Sequence, residues 1–179
     1  MERNIVEHCA PTLAGLKCGS LFYHRHNGPA IYREIRDINL KLRGKGISAT
    51  ILRSSEGGHL VYVYRKNMVE ESLSCARYIL RDLGYDHIRP GYAIKHLRSR
   101  IAESKQLPSE IGIFLGYPVD DVIGFMENKG RNCKCMGCWK VYGDEEHANT
   151  LFLKYRKCRM IYRERYNIGT PVEKLTIHA

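Results

Sequence analysis

The residue pattern predicts a single α/β or α+β domain over residues 1–179, with a small sheet that includes a hairpin at about 47–65. Several helices cover the sheet and a long C-terminal helix closes the chain. Three observations carry this. Apolar residues recur at helical spacing in several separate stretches, two β-branched runs flank a glycine-rich turn, and no repeat, low-complexity tract or linker interrupts the chain.

Residues 30–43 place Ile31, Ile35, Ile38 and Leu42 on one helical face, with charges opposite and Gly44 and Gly46 as stop signals. The stretch 47–53, ISATILR, is rich in β-branched residues and reads as a strand. SSEGG turns the chain, and the alternating HLVYVYR at 59–65 is its hairpin partner. Helical spacing returns at 68–83 through Val69, Leu73, Ala76, Leu80 and Leu83, and again at about 91–104 through Ile94, Leu97 and Ile101. Pro108, Ser109 and Glu110 suit a helix start, and Gly116-Tyr117-Pro118 must break that helix. Pro118 to Asp121 then opens a second short helix ending near Gly130, its Asp120 and Asp121 serving as N-terminal carboxylates. KVY at 140–142 is a short strand. Gly143-Asp144 leads into the last helix, with Ala148, Leu151, Phe152, Tyr155, Cys158 and Tyr162 along one face.

The chain has no apolar run near the ~20 residues a membrane span needs, and its first residues lack the basic-then-apolar plan of a secretory leader. The expected setting is the cytoplasm, where seven cysteines are reduced thiols or ligands rather than disulfides. A formal net charge of +10 raises the prospect of a nucleic-acid or acidic partner. The basic residues are spread along the chain and no nucleic-acid-binding signature is legible, so that partner is not favoured. The twelve tyrosines fall mostly on apolar faces or beside glycines, where they serve packing. No glycine-rich nucleotide motif is present.

Two stretches hold chemistry. Cys133, Cys135 and Cys138 form C-x-C-x-x-C around Gly137. Three thiolates on such a turn can supply three ligands to zinc or an iron–sulfur cluster, with His147, Cys158 or Cys9 as candidates for the fourth. Arg131 and Lys134 flank the cluster and would lower its thiol pKa values. Near the N-terminus, Pro11 and Thr12 suit the first turn of a helix, which places Cys9 at that helix's N-terminus as a candidate nucleophile. His59, opening a strand after the glycine-rich turn, is its candidate base.

Three segments carry a family resemblance: HCAPTLAGLKCGSLF, PSEIGIFLGYPVDDVIGF and CMGCWKVYGD. They resemble the bacterial and archaeal family known as domain of unknown function 3793, whose signatures are Pro-His-Glu and Leu-Gly-Tyr-Pro. The second stands intact at Leu115 to Pro118; the first appears as Pro108-Ser109-Glu110, with serine for histidine. The resemblance implies no activity, but it points to segments 9–17, 108–121 and 133–142 as one functional centre. Glu110 and Tyr117 are its ligand-contacting candidates. The expected role is cysteine-based metal or redox chemistry involving zinc, iron, an iron–sulfur cluster or haem, with a redox or iron-metabolism partner. A Cys9 hydrolase or acyltransferase and a basic, non-catalytic nucleic-acid or protein binding module are the alternatives.

Overall fold

The computed structural model describes residues 1–25, 28–104 and 106–178. It is an α+β fold built on a three-stranded antiparallel sheet in the order β1-β3-β2. Strands β2 (Ile47–Ser55) and β3 (Gly58–Arg65) are the expected hairpin, with a bulge between Ile51 and Arg53 that lets Leu52 turn inward. Strand β1 (Gly19–His24), unexpected from the sequence, pairs with the other edge of β3.

The central strand divides the core by its two-residue period. Leu60 and Tyr62 face one cluster, which includes Leu73, Leu97 and Phe114, while Val61 and Val63 face another with Ile5, Ile38 and Leu42. The first cluster is closed by α3 (Lys66–Cys75), α4 (Arg77–Asp82), α5 (Pro90–Glu103) and the short α6 (Ile111–Phe114). The helix expected at 68–83 is therefore two helices, separated at Ala76. The second cluster is closed by α1 (Glu2–Leu13), α2 (Ala30–Leu42) and α9 (Val172–Leu175).

Helix α1 corrects an expectation. Pro11 and Thr12 lie in its last turn, not its first, because Ile5, Val6, Cys9 and Leu13 already form a buried helical stripe ahead of them. The helix ends on a buried cation. Arg65 donates to Thr12 O at 2.7 Å, Leu13 O at 2.6 Å, Lys45 O at 3.2 Å and Ile177 O at 2.9 Å. It satisfies terminal helix carbonyls and places positive charge at the negative end of the helix dipole.

Beyond α6, α7 (Val119–Glu127) leads to a two-stranded hairpin, β4 (Cys135–Met136) and β5 (Lys140–Val141). The expected strand at 140–142 is thus real, and its partner is the cysteine loop itself. Helix α8 (Glu145–Asn167) begins at Asp144, whose side chain accepts from His147 N, with Glu145 and Glu146 in the first turn. It packs along α1 and carries a third cluster of Trp139, Val141, Ala148 and Tyr155. No helix among the described residues is long and apolar enough to cross a membrane.

Candidate functional site

The signature segment 115–118 sits where the sheet, α7 and the hairpin meet. Gly116 has φ 71°, and a Cβ there would stand 2.9 Å from Cys18 Sγ, so the turn demands glycine and locks onto the start of β1. Phe114 O, just before it, accepts from Tyr62 Oη at 2.6 Å and from the Cys18 thiol at 3.3 Å. Tyr117 follows, and Pro118 starts α7.

In the first turn of α7, the buried Asp121 carboxylate gathers the hairpin. Trp139 Nε1 donates to Oδ2 at 2.6 Å, and the backbone N–H groups of Tyr142 and Gly143 each donate to Oδ1 at 2.7 Å. The indole thus stacks on Tyr117, with ring centroids 4.8 Å apart, and meets the edge of Phe152 at 4.5 Å. Tyr117 Oη donates to Cys138 O at 3.3 Å. Between this aromatic wall and the chain entering α6 lies a cavity of about 290 Å³. Its walls are predominantly apolar: Leu107, Pro108 and Ile111 on one side, Val122 and Phe125 on the other. Ser109, Asp121 and Lys140 add the polar atoms. Lys140 Nζ is committed to Gly130 O at 2.7 Å. Ser109 O accepts from Gly112 N at 3.3 Å, while its hydroxyl makes no hydrogen bond among the described residues and is available to a ligand.

The model of the family described as protein of unknown function DUF3793 matches residues 5–176. The chain belongs to that family. No curated protein and no solved structure matches it. Both family signatures contribute to the cavity, Pro108 and Ser109 from one and Tyr117 from the other, and the CMGCW stretch supplies Trp139.

The other expected site residues are placed differently. Cys9 is fully buried within α1, and burial raises its thiol pKa far above the usual range. It is neither at a helix N-terminus nor at a cleft. His59 pairs through Nδ1 with Ser54 Oγ at 2.8 Å and stands opposite His24 across β1 and β3. No hydrogen bond joins Cys9 to His59 among the described residues. Glu110 is 1% exposed, and its Oε1 is ion-paired with Arg100 Nε and accepts from Tyr85 Oη at 3.1 Å. It braces α5 against the α6 entry instead of facing the cavity.

The cysteine loop does not form the expected ligand set. Among the described residues no group of three His, Cys, Asp or Glu side chains comes together to hold a metal ion. Cys135 lies beside Glu145, whereas Cys138 Sγ accepts from Arg159 Nη2 at 3.6 Å. Those partners are fourteen residues apart on α8, about 21 Å of helical rise, so the two thiols are drawn in different directions. His147 is exposed on the first turn of α8, and Cys133 lies towards Cys135. Nor is the Cys135 thiol lowered. Loss of hydration and the Glu145 carboxylate raise it, while Lys134 Nζ is turned away to Gly143 O at 2.7 Å.

Lys17 was not singled out by the sequence. Its amine lies 5.1 Å from the centre of the Tyr117 ring, and burial lowers its pKa, opposed by the nearby sulfurs of Cys18, Cys138 and Cys9. Segments 9–17, 108–121 and 133–142 therefore do meet, around Tyr117. Burial moves the Tyr117 hydroxyl up to about 12, so it is a neutral donor at ordinary pH. The legible signal for this meeting was the lone tryptophan after CMGC, whose indole N–H needs a buried acceptor.

Proposed function

We propose that this protein binds a small, largely apolar, ring-bearing ligand between α6, α7 and the β4–β5 hairpin, and acts as a binding protein without catalysis at that site. The cavity of about 290 Å³, faced by Tyr117 and Trp139 and built from the family signatures, carries the reading. Its size and apolar walls suit burial of one or two rings, and the Ser109 hydroxyl offers one directional contact. The charged groups beside it hold the hairpin in place: Asp121 accepts three hydrogen bonds from it and Lys140 ties it to Gly130 O.

Cysteine-centred zinc, iron–sulfur or haem chemistry has less support, because the loop thiols are not gathered. The thiol-hydrolase reading has less support because Cys9 is enclosed by core side chains. A cytoplasmic setting is part of the proposal; that all seven cysteines are unpaired supports it.

The test uses the only tryptophan as reporter. Titration with 8-anilinonaphthalene-1-sulfonate should give saturable energy transfer from Trp139. Val122→Phe, which fills the cavity, should weaken binding at least about tenfold while leaving the far-ultraviolet circular dichroism unchanged. Equal binding by the two proteins would remove the cavity from the reading.

A further inference from the structure

A second cleft, about 510 Å³, lies between α4 and the start of α5 and shares no lining residue with the apolar cavity. Its character is opposite. Arg77 and Arg81 stand one turn apart on α4, and Arg89 enters from the residue preceding α5. All three are exposed, and among the described residues none makes an ion pair. One carboxylate, Asp86, lines the cleft with them. Three guanidinium groups around one concavity repel each other unless an anion separates them, and their planar forks match phosphate oxygens two at a time.

The same cleft has an aromatic side. His87 and Tyr92 rings stand 5.2 Å apart at 52°, and Tyr92 is 61% exposed despite its apolar ring. An exposed ring beside a guanidinium cluster is a platform on which a base can stack while its phosphate is held. The floor is firm. Tyr85, 3% exposed, is tied through its hydroxyl to Glu110, which the Arg100 ion pair holds in turn. The Pro-x-Glu signature therefore supports this cleft from beneath while it lines the apolar cavity with Pro108 and Ser109.

We propose that this cleft binds a nucleoside phosphate, either free or at the 5′ end of a single strand. Arg77, Arg81 and Arg89 grip the phosphate, and Tyr92 and His87 carry the base. The cleft volume falls within the roughly 300–1,000 Å³ typical of small-ligand sites.

Calorimetric titration of the full chain at low salt with AMP, adenosine, inorganic phosphate and a 5′-phosphorylated tetra-adenylate tests this. AMP should bind at least about tenfold more tightly than adenosine, and more tightly than inorganic phosphate. Arg77→Gln combined with Arg81→Gln should weaken AMP about tenfold or more at an unchanged melting temperature. Tyr92→Ala should weaken AMP but not inorganic phosphate. Tighter binding of the tetra-adenylate than of AMP assigns the strand end; equal or weaker binding assigns the free nucleotide. The proposal is overturned by no binding of AMP, by AMP and adenosine binding alike, by phosphate matching AMP, or by the double variant retaining wild-type affinity.

Discussion

Removing the Asp121 carboxylate should release the hairpin that forms one wall of the cavity. In Asp121→Ala three donors lose their acceptor together: Trp139 Nε1 and the N–H groups of Tyr142 and Gly143. A buried hydrogen bond to a charged acceptor contributes about 1.5–3 kcal/mol, and a stranded donor costs about 1–3 kcal/mol. Water can reach the half-buried Tyr142 and Gly143 amides more readily than the indole, which lies beneath Tyr117 and Phe152. The expected loss is therefore about 3–5 kcal/mol, a large share of the about 5–15 kcal/mol that holds a typical domain folded. Asp121→Asn keeps one oxygen but sets an amide N–H₂ against one donor, so it should lose less, about 1.5–3 kcal/mol. Urea unfolding followed in parallel by Trp139 fluorescence and circular dichroism measures both losses. A loss below about 1 kcal/mol in Asp121→Ala would refute the view that this carboxylate organises the site.

Arg65→Met should destabilise by about 3–5 kcal/mol in the same assay, because it removes four hydrogen bonds that tie the end of α1 to Lys45 O and Ile177 O. A melting temperature within error of wild type would contradict this. Burial raises the Cys9 and Cys18 thiols above their ordinary 9.0, Cys18 to about 12, and Tyr62 above 10.0. The folded chain thus keeps protons that the unfolded chain releases. Their stabilisation is complete below pH 9 and drains away as pH rises, each titrating group contributing a slope of about 1.4 kcal/mol per pH unit. The lowered Lys17 works the other way below 10.5, one group against several, so unfolding free energy measured from pH 8 to 11 should fall. A flat or rising profile would oppose this assignment. With iodoacetamide under native conditions, exposed Cys75 should be modified quickly and buried Cys9 and Cys18 only on unfolding. Mass spectrometry showing early modification of Cys9 would instead revive it as an accessible nucleophile.

What could be read from the sequence was local. The β-branched runs at 47–53 and 59–65, the stripe in 30–43 and the Asp144 start of α8 each follow from neighbours a few residues apart, and each is where it was expected. Strand β1 was not legible, because GSLFYH becomes a strand only by pairing with β3, some forty residues later. Pro11 misled because proline favours the first turn of a helix, where its missing N–H costs nothing, whereas here the core contacts of Ile5, Val6 and Cys9 carry the helix through it to Leu13. The C-x-C-x-x-C spacing allowed convergence but could not direct side chains. Gly137 is there for another reason: a Cβ would lie 2.3 Å from the Phe152 ring, so the loop is pressed flat against α8. Glu110 read as a ligand contact because Arg100 and Tyr85, its partners, are invisible to local spacing.

The ring-binding cavity is tested most directly by ¹⁹F NMR of protein labelled with 5-fluorotryptophan, in which Trp139 gives the only resonance. Titration with indole, a single fused apolar ring system, should move that resonance saturably in the wild type and leave it unmoved in Val122→Phe. An unmoved resonance in the wild type, or the same shift in both proteins, would contradict a ligand site between α6, α7 and the hairpin.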